Sequence, residues 1–263
     1  WVHLHHEDFT GQYGKFYSMY HGQAWYQQQQ QEAEASARAF GFAKVSELKL
    51  AVVQAIRGYV VEGGFLFAMC SGADTFDLAL AAAGLDIVPP QIDGDGQTPN
   101  VSSMLDFSGT MAFQDFRPVL NLMEYEHADI DSPPPPALRN PLTDYFTLFD
   151  FSARWDPVPT MLTQNHVASV RGFMGQTTAF RADALKLSAV VLGESPTTGS
   201  VRYLYGPAGQ GFFAFYGGHD PEDYQHFVGD PPTDLSLHRN SPGYRLILNN
   251  VLFPAAKKQP QKT

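Results

Sequence analysis

Hydrophobic and polar positions follow two periods along this chain. Between positions 46 and 62, Leu48, Val52, Ile56 and Val60 recur every four residues, with Ala55 and Tyr59 beside them. That spacing puts one apolar stripe on a helix, which Ser46 is placed to cap and Gly63-Gly64 to end. Phe65 to Met69 is then an unbroken apolar run. Such a run suits a strand buried on both faces, as in parallel sheets. Cys70-Ser71-Gly72 makes the turn, and a helix is predicted from Thr75 to Ala83, closed by Gly84. Helix, buried strand, tight turn, helix is the order of a doubly wound sheet covered on both faces.

The remaining segments extend this pattern. Trp1 to His5 alternates weakly as a strand, and an aromatic loop follows with Phe9, Tyr13, Phe16, Tyr17 and Tyr20. Trp25 to Phe40 reads as a helix whose Gln27–Gln31 run is a solvated face. Tyr145–Ala153, Ala189–Leu192, Val201–Tyr205 and Gly211–Tyr216 read as strands. The last helix has Ser241 as N-cap and Pro242 in its first turn, with Tyr244, Ile247, Leu248, Val251 and Leu252 on its apolar face. Pro133–Pro136 is a stiff surface connection rather than a domain boundary. The pattern predicts an α/β chain with a three-layer, flavodoxin-like, doubly wound and mostly parallel sheet. It forms a single domain over 1–256, followed by a basic tail over 257–263. Because the chain opens at Trp1 in a strand-like segment, a further N-terminal segment is expected before it.

Composition narrows the function. Hydrophobic residues make up 44% of the 263 positions and charged ones only 17%, which suits a packed core rather than a disordered chain. The formal net charge of −10 repels phosphate, so neither nucleic acid nor an anionic membrane is an expected partner. No apolar run approaches the ~20 residues of a spanning helix. The single cysteine rules out an intrachain disulfide.

That cysteine opens the candidate chemistry. Cys70 ends a buried strand on a sharp turn into a helix. The unpaired N–H groups of the helix N-terminus are expected to stabilise its thiolate, and those of Ser71 and Gly72 to serve as an oxyanion hole. A second strand runs through Phe215 and Tyr216 into Gly217-Gly218-His219. The double glycine permits a sharp exit, which lets His219 act as the base, oriented by Asp220 or Glu222. A third cluster, His3, His5, His6, Glu7 and Asp8, falls at the end of the first strand, with His3 and His5 on one face. Its functional readings are a metal site or a substrate-binding edge, and a polar, hydrogen-bonded strand end is the reading preferred to both. No second cluster has zinc-like spacing, so no metal is assigned and no cofactor is expected. Asp93-Gly94-Asp95-Gly96 lacks the later acidic ligand of a calcium loop and reads as a turn. Gln164-Asn165-His166, with Trp155, is a further candidate pocket wall. Gly209 to Gly211 precedes a strand, not a helix, so it is no phosphate loop.

Several longer segments carry a resemblance. HLHHEDFTGQYGKFY, GGFLFAMCSGADTFDLALAA, DYFTLFDFSARWDPVPTMLTQNH, GFMGQTTAF and FYGGHDPEDYQH, with most of the stretch from Val228 to Lys258, resemble a bacterial family common in Bacteroidetes and usually labelled asparagine synthetase B. Its members carry an additional N-terminal region, often with an export signal, which implies a periplasmic or exported location. In fold the family is similar to the trehalose-utilisation (ThuA-like) branch of the class I glutamine amidotransferase-like superfamily. Two departures stand out. Ala68 occupies the first position of the usual Gly-x-Cys-x-Gly nucleophile motif, and His219 is followed by Asp220, Pro221 and Glu222 in place of His-x-Glu. The SGGxDS motif of true asparagine synthetase B is missing from the sequence.

The leading expectation is a cysteine-dependent hydrolase or amidotransferase-like enzyme for a small amide or ester. Cys70 is the nucleophile, His219 the base, Asp220 or Glu222 the orienting group, and Ser71 and Gly72 the oxyanion donors. His5, His6, Glu7, Trp155 and His166 shape the substrate pocket. Two alternatives stand beside it. One is a non-catalytic carbohydrate- or ligand-binding module using Tyr13, Tyr17, Trp25 and Trp155. The other is a structural subunit of an envelope-associated assembly or homo-oligomer, docked through the proline run, the aromatic loop and the basic tail.

Overall fold

The computed structural model describes residues 2–11, 16–152, 154–155, 158–224 and 230–256; Tyr13 and the basic tail lie outside the described residues. Seven strands form one sheet: β1 (Val2–His5), β2 (Phe65–Met69), β3 (Tyr145–Leu148), β4 (Ser169–Arg171), β5 (Val190–Glu194), β6 (Val201–Ala208) and β7 (Gly211–Tyr216). Their order is β1-β2-β7-β6-β5-β3-β4. Only β1, β2 and β7 run parallel to their neighbours; β7-β6, β6-β5, β5-β3 and β3-β4 are antiparallel. The expectation of a mostly parallel sheet is therefore corrected to a mixed, mostly antiparallel one. The cause is local. Only Gly209 and Gln210 separate β6 from β7, with Gly209 at φ 61°, and a two-residue connection forces a hairpin. The parallel expectation came from the apolar run Phe65–Met69, and that strand, β2, does pair in parallel on both sides.

The helices are α1 (Tyr17–Tyr20), α2 (Ala24–Ala39), α3 (Val45–Val61), α4 (Ser71–Ala81), α5 (Pro90–Asp93) and α6 (Pro242–Leu252). One apolar core joins Val53 and Val60 of α3 and Ala73 and Phe76 of α4 to Leu66, Ala68, Phe213 and Phe215 of the sheet. A second core covers the other face, where Leu246 of α6 meets Phe65, Phe67, Met69, Tyr203 and Tyr216. Every residue of α4 is buried. The Asp77 carboxylate on that helix accepts the backbone N–H groups of Met111, Ala112 and Phe113 at 2.6, 2.7 and 2.8 Å. This pins the irregular segment after α5 onto the helix.

Two helix readings are corrected in detail. Ser46 does not cap α3. Lys44 holds that position, and the Glu47 carboxylate accepts the N–H groups of Ala43 and Lys44 at 3.0 and 3.1 Å. The buried stripe is Val45, Val53 and Val60, whereas Val52 and Tyr59 are exposed. In α6, Ser241 does cap, accepting from Tyr244 N at 3.2 Å, but the buried face is Gly243, Leu246, Asn249 and Asn250. Leu248, Val251 and Leu252 face outward. Asn249 donates to the carbonyl of Gln164 at 2.7 Å and Asn250 to the Tyr203 hydroxyl at 3.0 Å. A buried face held by amide groups that donate to tertiary acceptors has no apolar signature. Among the described residues, no helix is long and apolar enough to cross a membrane.

Candidate active site

The three parallel strands end on one edge of the sheet, and each delivers a residue there. His6 follows β1, Cys70 follows β2, and Gly217-Gly218-His219 follows β7. The β2 backbone stays in register up to Cys70, whose N–H donates to Tyr216 O at 2.9 Å. Cys70 then adopts φ 54°, ψ −140° and opens α4. His6 also has a positive φ, 59°. Such conformations are sparse for residues with a Cβ, cost about 1–3 kcal/mol each, and cluster at functional sites. The Cys70 sulfur, fully buried, lies 3.6 Å from His6 Nδ1 and accepts the N–H of Gln176 at 3.0 Å.

Glycines bring the segment carrying Gln176 into place. A Cβ on Gly217 would lie 2.3 Å from the carbonyl oxygen of Thr178, and one on Gly218, at φ 79°, 2.3 Å from that of Phe173. Two backbone bonds use this proximity: Gly218 N donates to Thr177 O and His219 N to Met174 O, both at 2.6 Å. Gly175 then passes so close that its Cβ would be 2.8 Å from Cys70 Sγ. Beneath the segment, the buried Arg202 guanidinium donates to Thr178 O at 2.8 Å and is paired with Asp144. Asp144 also accepts from the Tyr224 hydroxyl.

Burial dominates the electrostatics. It pushes the Cys70 thiol up to about 12, against the pull of the N–H groups of Thr177, Ser71 and Gln176, and nearby Asp74 pushes the same way as burial. The expectation that the helix N-terminus leaves Cys70 a resting thiolate is corrected: desolvation of the charged sulfur outweighs the N–H groups aimed at it. His6 is lowered by burial and then by His5, so its imidazole is neutral at pH 7. His5 is lowered by burial too, with Asp220 acting in the opposite direction. Burial raises Glu7, whose Oε2 faces Gly72 and has no hydrogen-bond partner among the described residues. Burial also raises Asp74 to about 7; its Oδ1 accepts from Thr177 Oγ1 at 3.1 Å.

The other residues named from the sequence divide between this edge and elsewhere. The His219 ring stands edge-on to His5 at 4.5 Å and to His6 at 5.3 Å between centroids. Ser71 and Gly72 form the first turn of α4 beside the sulfur. The Asp220 carboxylate accepts from Glu222 N, Asp223 N, Thr233 Oγ1 and Tyr244 Oη, which shapes the loop after His219. Glu222 lies 3.8 Å from Arg171 and 3.7 Å from His238, and lines a separate cleft of about 620 Å³ with Tyr145 and Asn240. Trp155 is exposed beneath Arg154, and His166 lines another groove with Phe149 and Met161. Asp93 and Asp95 do form a turn, and with Asp86 they surround Lys44 Nζ at 3.2, 2.5 and 2.7 Å. Sequence reasoning gave Gly175 and Gln176 no part in the site, since their segment, GFMGQTTAF, has no helix or strand period and entered only as part of the resemblance, and it gave His6 no direct part in the chemistry. Compared with known proteins, the chain matches no family model and no curated sequence.

Proposed function

We propose that this chain is a cysteine-dependent hydrolase or amidotransferase-like enzyme acting on a small amide or ester. Its architecture would be a variant of the flavodoxin-like, class I glutamine amidotransferase-like fold. The parallel trio β1-β2-β7, with α4 following β2, supports that fold reading. One observation carries the function. Cys70 sits at φ 54° between β2 and α4 with its sulfur 3.6 Å from a histidine nitrogen. A nucleophile and a base in contact, on a turn that holds the nucleophile out of ordinary backbone geometry, is the arrangement of covalent acyl transfer.

The resting pair is a thiol and a neutral imidazole. With its own proton on Nε2, His6 takes the thiol proton on Nδ1 as the sulfur attacks the carbonyl carbon. A C–S bond forms and the carbonyl electron pair moves to oxygen. Collapse of this adduct breaks the bond to nitrogen or oxygen of the leaving group, which takes the proton from His6. Water, deprotonated by the same imidazole, then cleaves the thioester. His219, the base expected from the sequence, packs against both His5 and His6 and positions them. The N–H groups of Ser71, Gln176 and Thr177 converge on the sulfur, beside the forming oxyanion.

The test is turnover of a panel of activated esters and small carboxamides, glutamine and asparagine included. Cys70→Ala is expected to abolish it with the circular dichroism and melting temperature retained. His6→Ala should cost about 10²–10⁴-fold, and more than His219→Ala. Full activity in Cys70→Ala would overturn the reading.

A further inference from the structure

The same edge of the sheet has a second capability. His6, Cys70 and His219 each offer one donor atom, and the three atoms lie within 4.8 Å of one another. The sulfur-to-Nδ1 separation between Cys70 and His6 is 3.6 Å. That is an ordinary separation for a hydrogen bond to sulfur. It equals the separation of about 3.6 Å expected for S and N on one tetrahedral zinc, given Zn–S of about 2.3 Å and Zn–N of about 2.0–2.1 Å. We infer that His6, Cys70 and His219 together bind one zinc-class divalent cation, and that this binding withdraws the Cys70 sulfur from covalent chemistry.

Three features support the assignment. Two imidazoles and a thiolate are the donor set of a borderline-soft cation and not of calcium or magnesium, which take oxygen. The sulfur already accepts the Gln176 N–H at 3.0 Å, the kind of outer hydrogen bond that orients a metal-bound ligand. The burial is graded: Cys70 is enclosed, His219 half-buried and His6 exposed as a residue although its ring is partly desolvated, so the group reaches the surface on its His6 side. The other close trio, Asp86, Asp93 and Asp95, offers a contrast, because Lys44 Nζ already sits among its carboxylates.

Binding is balanced by one proton. The cation takes the lone pairs of two imidazoles and displaces the thiol hydrogen of Cys70 to solvent. A sulfur bonded to the metal cannot attack a carbonyl, so the loaded protein is inactive in thiol chemistry and removal of the metal restores it. The blocking half rests on the hydrolase reading above; the binding half stands without it.

The experiment titrates the full chain, reduced and stripped of metal with a chelator, with Co²⁺. One equivalent should develop a near-ultraviolet sulfur-to-cobalt charge-transfer band with tetrahedral visible bands, release about one proton, and be displaced by Zn²⁺. Cys70→Ser should lose the charge-transfer band. His6→Ala and His219→Ala should each weaken binding by about tenfold or more. Iodoacetamide labelling of Cys70, read by mass spectrometry, should slow about tenfold or more with one equivalent of Zn²⁺ and recover with chelator. A missing charge-transfer band, or one that survives both histidine variants, overturns the site. A metal-loaded thiol that alkylates at the metal-free rate overturns the blocking. Failure of the hydrolase reading would appear separately, as lack of turnover in a protein with the full cobalt spectrum.

Discussion

Asp74, in the first turn of α4, concentrates the conflict between burial and charge at this site. Its carboxyl is fully buried, raised to about 7, and shares one hydrogen bond with Thr177. Unfolded, an aspartate titrates near 3.9. Between those values the folded chain binds a proton that the unfolded chain releases, so this group's contribution is fully present below about pH 4 and is lost as pH rises through about 7. Asp74→Asn removes the titration. In urea melts from pH 4 to 8 its stability curve should be flatter than that of the parent, and it should be the more stable protein at pH 8; parallel curves would exclude this account. The same substitution removes a negative charge that raises Cys70, so iodoacetamide labelling at pH 8 should be faster than in the parent. Cys70 and His219 were legible in the sequence because a strand followed by a tight glycine turn identifies an edge residue. The protonation state of Cys70 was not, since the N–H groups of the helix N-terminus can be read from sequence while the extent of desolvation cannot.

At the scale of elements, the site is a close meeting of three strand ends with the segment around Gly175. Gly175→Ala would put a Cβ 2.8 Å from the Cys70 sulfur and 2.9 Å from Gly218 Cα, so the segment must retreat and carry the Gln176 N–H with it. We expect a loss of about 1–3 kcal/mol in stability and a larger proportional loss of turnover, both measurable against Gly96→Ala, a position with nothing within 4 Å of an added Cβ. Equal behaviour of the two variants would count against the close approach. Asp77 offers a test away from the chemistry. Asp77→Ala leaves the N–H groups of Met111, Ala112 and Phe113 without their acceptor and should cost about 3 kcal/mol or more, at roughly 1 kcal/mol for each orphaned donor. Asp77→Asn, which keeps an acceptor, should cost less in the same denaturant titration. Element positions were well marked in the sequence: β2 and β7 coincide with their apolar runs, and α6 begins at its Ser-Pro signal. Helix faces were not. In α3 the buried stripe runs through Val53 rather than Val52, and in α6 buried asparagines replace the expected leucines. A face set by tertiary hydrogen bonds leaves no apolar periodicity to read.

Over the whole molecule, the parallel trio carries the candidate chemistry, and the antiparallel strands beyond it support the segment that closes over the sulfur. The link is Arg202 on β6. It is almost fully buried, pairs with Asp144 at the start of β3, and donates to Thr178 O just behind Gln176. The sequence marked neither partner, because they are 58 residues apart and nothing local requires them to meet. Removing one partner of a buried pair strands the other, so Arg202→Met should destabilise the fold by about 3–5 kcal/mol. Replacing both, as Arg202→Met with Asp144→Leu, should recover most of that loss, since an apolar pair of similar volume removes the desolvation cost of both charges. The double variant separates stability from positioning. If the pair serves only the fold, a rescued protein should turn over normally. With Thr178 O no longer held, the Gln176 N–H should drift from the sulfur, and kcat should stay low while the melting temperature returns. Kinetics of the double variant below its unfolding transition, with KM measured beside kcat, decide between these outcomes. Normal kcat in the rescued protein would assign Arg202 to the fold alone.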